Sequence, residues 1–249
     1  MIYSCDSDIG LVRKNNEDYC MGEIIKTDSA DIGIFALADG MGGHKKGEVA
    51  SKLAVDNIMF FLKENLLQNN NIKIDYIDDI IKQAYNEVNS IIYKKSISGE
   101  EYSGMGTTLT TAILYKNKLY VANVGDSRCY LLSKNEFKKV TMDHSVVEEL
   151  IKANIITEEE AKNHPRRNHI TRAMGSEEIV IVDIFKHEID RGDKILLCSD
   201  GLTGFVDNES IEEIMMKDIE VKEISDELIN KANSMSGRDN ISVIVIEDK

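Results

Sequence analysis

Apolar residues recur at intervals of three and four along two stretches of the first hundred residues. Ala50, Leu53, Ala54, Ile58, Phe61 and Leu62 form one series, and Ile77, Ile80, Ile81, Ala84, Val88, Ile91 and Ile92 form the other. Such spacing lays an apolar stripe along one face of an α-helix, so each stretch predicts a helix packed by that face. The polar run at 68–71 between them reads as a loop. Residues 211–216 and 221–232 carry the same signature and predict two more helices.

Elsewhere the apolar runs are short and rich in β-branched residues, at 32–38, 109–114, 119–124, 129–132, 179–185, 194–198 and 241–246. These read as strands. Only Lys116, Asn117 and Lys118 separate the second from the third, and only 133–136 separates 130–132 from an extended 137–140. A parallel pair needs a crossover of about a dozen residues, so these neighbours must be antiparallel. The expected fold class is α+β, an antiparallel sheet pair covered by helices. No repeat, low-complexity tract or linker interrupts the pattern, so one domain over 1–249 is expected, with a charged insertion at about 145–168.

Composition removes several classes of function. The 249 residues carry 30 Lys and Arg against 44 Asp and Glu, a net charge of −14. That sign repels a phosphate backbone and an anionic bilayer, so neither nucleic acid nor membrane is expected as a partner. No apolar run approaches the roughly 20 residues of a membrane span, and Met1 to Asp6 lacks the basic-then-apolar order of a leader. Cys5, Cys20, Cys129 and Cys198 form no CxxC pair, which fits a reduced, cytoplasmic protein. None of these cysteines has Arg six positions on, where Leu11, Lys26, Asn135 and Gly204 stand, so a cysteine phosphatase loop is absent. GxxxxGK[ST], HExxH and GxSxG are absent too.

What remains is a set of carboxylates at strand ends. Asn16-Glu17-Asp18 precedes a strand, and Asp39-Gly40-Met41-Gly42-Gly43-His44 follows one and opens the first helix. Gly125-Asp126-Ser127-Arg128 lies between strands, Ser199-Asp200-Gly201 ends another, and Gly237-Arg238-Asp239-Asn240 precedes the last. One Asp-Gly alone is most simply a turn. Repetition at the termini of separate strands points instead to convergence at one edge of the sheets. Clustered carboxylates do not ionise together without a cation, and oxygen-rich, histidine-poor sets suit Mg²⁺ or Mn²⁺ better than zinc. Gly after Asp lets a backbone carbonyl come close to such an ion.

These segments, with Arg13, Gly106-Thr107-Thr108 and Ile170-Thr171-Arg172-Ala173-Met174-Gly175, occur in the order of the metal-dependent protein phosphatases. The chain resembles the 2C type of that family, in its compact bacterial serine/threonine form, from Arg13 to Val245. The resemblance implies a central β-sandwich flanked on both faces by helix pairs, a four-layer arrangement. It also implies two Mn²⁺ or Mg²⁺ ions at one end, with a weaker third. Asp39 would bridge the pair, Asp200 and Asp239 would complete the first site, and the Gly40 carbonyl would serve the second. Glu17 and Asp18 would hold metal-bound waters, with Asp18 closer in and Asn240 behind the ligands. Asp126 with Asp200 would form the third site, and Arg13 would bind the substrate phosphate bidentately.

The implied activity is hydrolysis of phosphoserine and phosphothreonine in proteins by a hydroxide bridging the cations. A serine/threonine kinase is the implied opposing partner, and a monomer the expected state. One departure stands out: animal relatives carry His directly after Asp-Gly, and here Met41 fills that place. His44 is then the candidate general acid, set against the plainer reading of a helix-cap residue. Gly106-Thr107-Thr108 reads as strand entry and core packing, and His144, His164, His169 and His187 as structural or solvated. A small phosphomonoester substrate would use every metal ligand equally well, and an inactive binding module is the non-enzymatic alternative.

Overall fold

The computed structural model describes residues 1–28, 30–42, 45–68, 71–72, 74–134 and 136–248. In chain order the elements begin with strands β1 (Ile2–Asp8), β2 (Asp18–Ile25) and β3 (Ile32–Met41), then helix α1 (Lys45–Leu66). Next come β4 (Leu67–Gln68), β5 (Asn71–Ile72), α2 (Ile77–Ser96), β6 (Gly106–Thr107), β7 (Leu109–Tyr115) and β8 (Lys118–Val124). β9 (Arg128–Ser133), β10 (Glu136–Lys139), α3 (Val146–Lys152) and α4 (Glu158–Lys162) follow. The chain closes with β11 (Asp183–Glu188), β12 (Lys194–Cys198), α5 (Asp200–Thr203), α6 (Asn208–Met215), α7 (Val221–Met235) and β13 (Ile241–Glu247).

Two antiparallel sheets dominate. One runs β1-β13-β12-β9-β10, and the other β11-β8-β7-β3-β2 with β6 added beside β3. Their central strands are buried on both faces, which is why they read as unbroken apolar runs. On β3, Ile32, Ile34, Ala36 and Ala38 face α1 and α2, while Phe35 and Leu37 face the opposite sheet. β13 divides likewise: Ile241, Val243 and Val245 meet α6 and α7, whereas Ile244 and Ile246 enter the layer between sheets. Three apolar layers therefore separate helices, sheet, sheet and helices, as the four-layer expectation required.

α2 presents Ile77, Ile81, Ala84, Tyr85, Val88 and Ile92 to that core. The buried Tyr85 hydroxyl reaches the carbonyls of Leu109 and Ala122, at 3.2 and 2.9 Å, so its polar end is satisfied inside the apolar layer. The β7–β8 hairpin closes over Lys116 and Asn117, with Lys116 at φ 55°, the left-handed turn that suits a two-residue loop.

Two expectations shift. The strand read at 179–185 begins only at Asp183, because the Ile181 carbonyl is taken by Arg172 Nη1 at 2.8 Å and those of Glu177 and Glu178 by Asn89. A chain whose carbonyls face side chains cannot join a ladder. The loop read at 68–71 is in part a short hairpin, since β4 pairs with β5. No helix among the described residues is long and apolar enough to cross a membrane.

Candidate functional site

β2 starts, and β3, β8 and β12 end, at the same edge of the sandwich, and β13 sets out from it. Their termini carry the five predicted aspartates. Asp18 and Asp39 are cross-strand partners in the β2–β3 register. Asp200 is the first residue of α5, directly after β12, and Asp239 stands two residues before β13.

Asp39 is held by its backbone. Its N–H donates to Thr108 Oγ1 at 2.8 Å, and its carbonyl accepts from Thr107 Oγ1 at 2.8 Å and from Thr108 N–H at 2.9 Å. Thr108 Oγ1 in turn meets Ser127 Oγ at 2.8 Å. The Gly106-Thr107-Thr108 segment therefore clamps the strand end that presents Asp39, a role beyond the core packing read from the sequence. Asp18 is 6% exposed and accepts from Ser199 Oγ at 2.7 Å. Ser199 Oγ also accepts from Ser242 N–H at 3.0 Å, which ties β2 to the opposite sheet.

Glycine permits the closest approaches. A Cβ on Gly40 would stand 2.1 Å from the Gly47 carbonyl oxygen, and one on Gly201 would stand 1.8 Å from that of Asn240. Both loops thus pack backbone against backbone, and any side chain would push an aspartate out of place. Asn240 anchors the first loop: its Nδ2 donates to the carbonyls of Ile9 and Asn15, at 2.9 and 3.0 Å, and its Oδ1 accepts from Glu17 N–H at 2.8 Å. Arg13 closes the rim on Asp239, Nη2 to Oδ2 2.8 Å, with nearly half of its side chain exposed.

Electrostatics set this cluster apart. Burial, then Asp18, Asp200, Asp126 and Asp239, all drive the Asp39 carboxyl well above its ordinary range. Burial pushes Asp18 up to about 7, opposed by hydrogen bonds from Ser199 and Ser242 and reinforced by Asp200 and Asp239. Asp126 is likewise pushed up to about 7, first by burial and then by Asp200 and Asp143. Asp200 is raised too, by burial and by Asp239, against a hydrogen bond with the Asp39 carboxyl and the pull of Arg13 and Arg128. Among the described residues no three His, Cys, Asp or Glu side chains are closed around one point as a ligand set. Carboxylates brought to one edge cannot all ionise without a cation among them, and the hydrogen bond between the Asp39 and Asp200 carboxyls is the proton-sharing alternative. The donor chemistry, all oxygen, fits a hard divalent cation.

A second network borders the first. His144 N–H donates to the Gly125 carbonyl at 2.9 Å, and Gly125 N–H donates to His144 Nδ1 at 3.0 Å. With Nδ1 accepting, Nε2 carries the proton and donates to Asp183 Oδ2 at 3.1 Å. Arg172 Nη1 donates to Asp183 Oδ1 at 2.9 Å while lying 3.0 Å from His144 Nε2, and the Arg128 guanidinium grips Asp143 through Nε and Nη2 at 2.7–3.1 Å. The insertion leaves the fold here, between the Ser145–Ile170 bridge and the mutual bonds Val146 N–H to His169 and Thr171 N–H to His144. Its helices are capped, α3 by Ser145 and α4 by a Thr157–Glu160 capping box. His144 thus joins the base of the insertion to the loop of Asp126.

His44 lies outside the described residues. Residues that sequence reading missed are Thr108, Ser127, Ser199, Gly47 and the anchoring role of His144. Ser199 alone had a local signal, its place beside Asp200.

Comparison with known proteins agrees in sequence and in shape. The family model "Protein phosphatase 2C" matches residues 12–231. The serine/threonine phosphatase stp of Listeria welshimeri is 41% identical over 241 residues, covering 97% of this chain and 93% of that protein. The S. agalactiae serine/threonine phosphatase superposes with a TM-score of 0.89 at 32% identity, over 100% of this chain and 99% of that one. The catalytic domain of the serine threonine protein phosphatase PstP, solved with two manganese ions, gives 0.83 at 35% identity, over 99% and 97%.

Proposed function

The chain belongs to the protein phosphatase 2C family, and from that premise we propose how its residues divide the work. The protein is a metal-dependent hydrolase that removes phosphate from serine and threonine in phosphoproteins. In our reading Asp39 would be shared between two divalent cations, Asp200 and Asp239 would complete one site, and the Gly40 carbonyl would serve the other. Asp18 and Glu17 hold water beside them, with Asn240 fixing the Glu17 backbone, and Asp126 with Asp200 offers a third, weaker site.

Bound cations supply the positive charge that acidifies water and offsets the charge developing on a transferring phosphoryl group. The protein supplies placement. Thr107 and Thr108 fix the Asp39 backbone, Ser199 orients Asp18, and Asn240 pins the loop that carries Arg13. Arg13, nearly half exposed and paired with Asp239, would take the substrate phosphate through its planar guanidinium. His44 is the proposed proton donor to the leaving alkoxide, in place of the histidine that Met41 replaces. Residues 1–249 act as one catalytic domain, with 145–168 as a flap over the site. We place the protein in the cytoplasm as a monomer opposing a serine/threonine kinase.

The observation that carries the assignment is Asp39. Burial and four surrounding carboxylates all raise its proton affinity. A site so arranged is completed by external positive charge. Dephosphorylation of phosphothreonine, phosphoserine and phosphotyrosine peptides, and of a small aryl phosphate, with Mn²⁺, Mg²⁺ or EDTA tests it. Turnover of the first two peptides with Mn²⁺ or Mg²⁺ and none with EDTA is expected. Full turnover in EDTA, or preference for the small ester over both peptides, overturns the reading.

A further inference from the structure

Two of the four cysteines face each other across the edge of the sandwich. Cys5, on β1 of one sheet, and Cys20, on β2 of the other, bring their sulfurs to 2.8 Å. That is less than 1 Å beyond the roughly 2.05 Å of a covalent S–S bond. Cys129 and Cys198, by contrast, are fully buried in the strands β9 and β12. Both members of the first pair are only partly buried and line an open cavity of about 550 Å³, bounded also by Asn16, Asp18, Glu48 and Lys52. A small oxidant can therefore reach the facing thiols from solvent, and the metal site's Asp18 stands two residues from Cys20.

We propose that Cys5 and Cys20 are a modification site, a thiol pair that a hydroperoxide closes into a disulfide joining the two sheets beside the aspartate cluster. One sulfur attacks the peroxide O–O bond, becomes a sulfenic acid and releases the first water. The second sulfur then displaces the sulfenic oxygen, the S–S bond forms, and the second water leaves with the remaining thiol proton. Two thiols and one hydrogen peroxide thus give one disulfide and two waters. The neighbouring thiol lies within reach of any sulfenic acid formed, so the pair resolves before further oxidation. The bond would close a loop of about fifteen residues, a length for which restriction of the unfolded chain gives substantial stabilisation.

The test is titration of the full-length protein with hydrogen peroxide, followed by intact mass, thiol counting, peptide mapping without reduction, and thermal melting. The expected result is loss of two thiols, a mass decrease of about 2 Da, a peptide linking Cys5 to Cys20, and a Tm several degrees higher that dithiothreitol reverses. Cys5→Ser and Cys20→Ser should fold, keep basal phosphatase activity, and show neither the crosslink nor the Tm shift. Sulfinic or sulfonic acid at Cys5 or Cys20 without a crosslink, or unreacted thiols at both, overturns the proposal. A Tm rise retained in the Cys5→Ser, Cys20→Ser double variant overturns it as well.

Discussion

Asp143 and Asp183 each meet a guanidinium supplied by the protein, whereas Asp18, Asp39 and Asp200 meet chiefly one another. Asp143 is nearly buried yet held by Arg128 through two nitrogens, with Lys139 behind. At Asp183 burial pushes the proton affinity up, but hydrogen bonds from His144 and Arg172 outweigh it and the carboxyl titrates low. At Asp18 and Asp39 burial wins, because the neighbours are acids. Both networks border the loop of Asp126 and both are built from aspartates at strand or loop ends. What separates them is where the compensating charge comes from. Where the chain provides it, the acid is architecture; where it does not, we propose the acid as a ligand for a cation.

The largest expected effects break this contrast outright. Asp39→Asn, or EDTA on the native protein, should lower turnover on the order of a thousandfold or more, since the ligand proposed to be shared, or the ions themselves, would be gone. In the metal-free state Asp39→Asn should nevertheless melt no lower than the native chain, because a carboxyl that burial and four neighbouring acids disfavour as an anion is replaced by a neutral amide. Arg128→Met should do the reverse, costing up to about 3 kcal/mol of stability by leaving the buried Asp143 with the long contact to Lys139 alone. Paired melts of both variants, with and without Mn²⁺, check the two signs. An Asp39→Asn protein far less stable than metal-free wild type would erase the distinction between the networks.

Next in size is a pH dependence peculiar to the metal-free protein. Asp18 and Asp126 bind protons up to about pH 7 when folded, against 3.8 when unfolded. Between those limits the folded state holds more protons than the unfolded state, so stability falls as pH rises through the window. Metal-free protein should therefore lose Tm steadily from about pH 4 to pH 7, and saturating Mn²⁺ should abolish the loss above neutrality. Melts across pH with and without metal decide it. A metal-free Tm that climbs over the same range would mean that the aspartates are already compensated.

Asp126 comes third, since on the proposed assignment it serves only the weaker ion. Asp126→Ala should keep tight binding of two Mn²⁺ by calorimetry and slow kcat by about tenfold, roughly 1.4 kcal/mol in barrier. A lowered Tm with unchanged kcat at saturating metal would instead make Asp126 a turn residue.

How far these differences were legible in the sequence follows from the same physics. The central strands were plain because burial on both faces leaves a continuous apolar run. β1 was not, because Ile2–Asp8 is an edge strand whose polar side chains are satisfied locally: the Ser225 hydroxyl sits against Ser4 and Asp6. The run at 179–182 had strand composition, yet Arg172 takes its Ile181 carbonyl and Asn89 those of Glu177 and Glu178 just before it, side-chain partners that apolar patterning does not reveal. The aspartates stood out through the glycines and turns beside them. The hydroxyls of Thr108 and Ser199 did not, because a threonine or serine next to a strand is ordinary until its acceptor is known. Asp143 and Asp126 look alike as residues; only the fold shows that Arg128 pairs with the one and leaves the other to the cluster.

The smallest effect expected lies where the two networks join. His144 accepts the Gly125 N–H while its own N–H meets the Gly125 carbonyl, so it fixes the loop that carries Asp126 without touching that carboxylate. His144→Leu removes the side-chain acceptor, leaves a buried N–H unsatisfied, and should slow kcat about threefold, near 0.6 kcal/mol in barrier. If this loss passes through Asp126, it should vanish when His144→Leu is made in the Asp126→Ala background, because positioning a missing ligand has no value. A purely structural role predicts the same lowered Tm in both backgrounds and no such dependence of kcat. Proton linkage offers an independent reading. Burial, aided by Arg172 and opposed by Asp183, lowers His144 below its ordinary value of 6.5, so the folded state resists protonating it. Stability owed to neutral His144 is thus complete above pH 6.5 and drains away as pH falls through its lowered folded value. The Tm gap between wild type and His144→Leu should narrow on that descent, opposite in direction to the metal-free trend set by Asp18. A gap that widens toward acid would show that the ring is charged in the folded protein and that Gly125 N–H is not bonded to it.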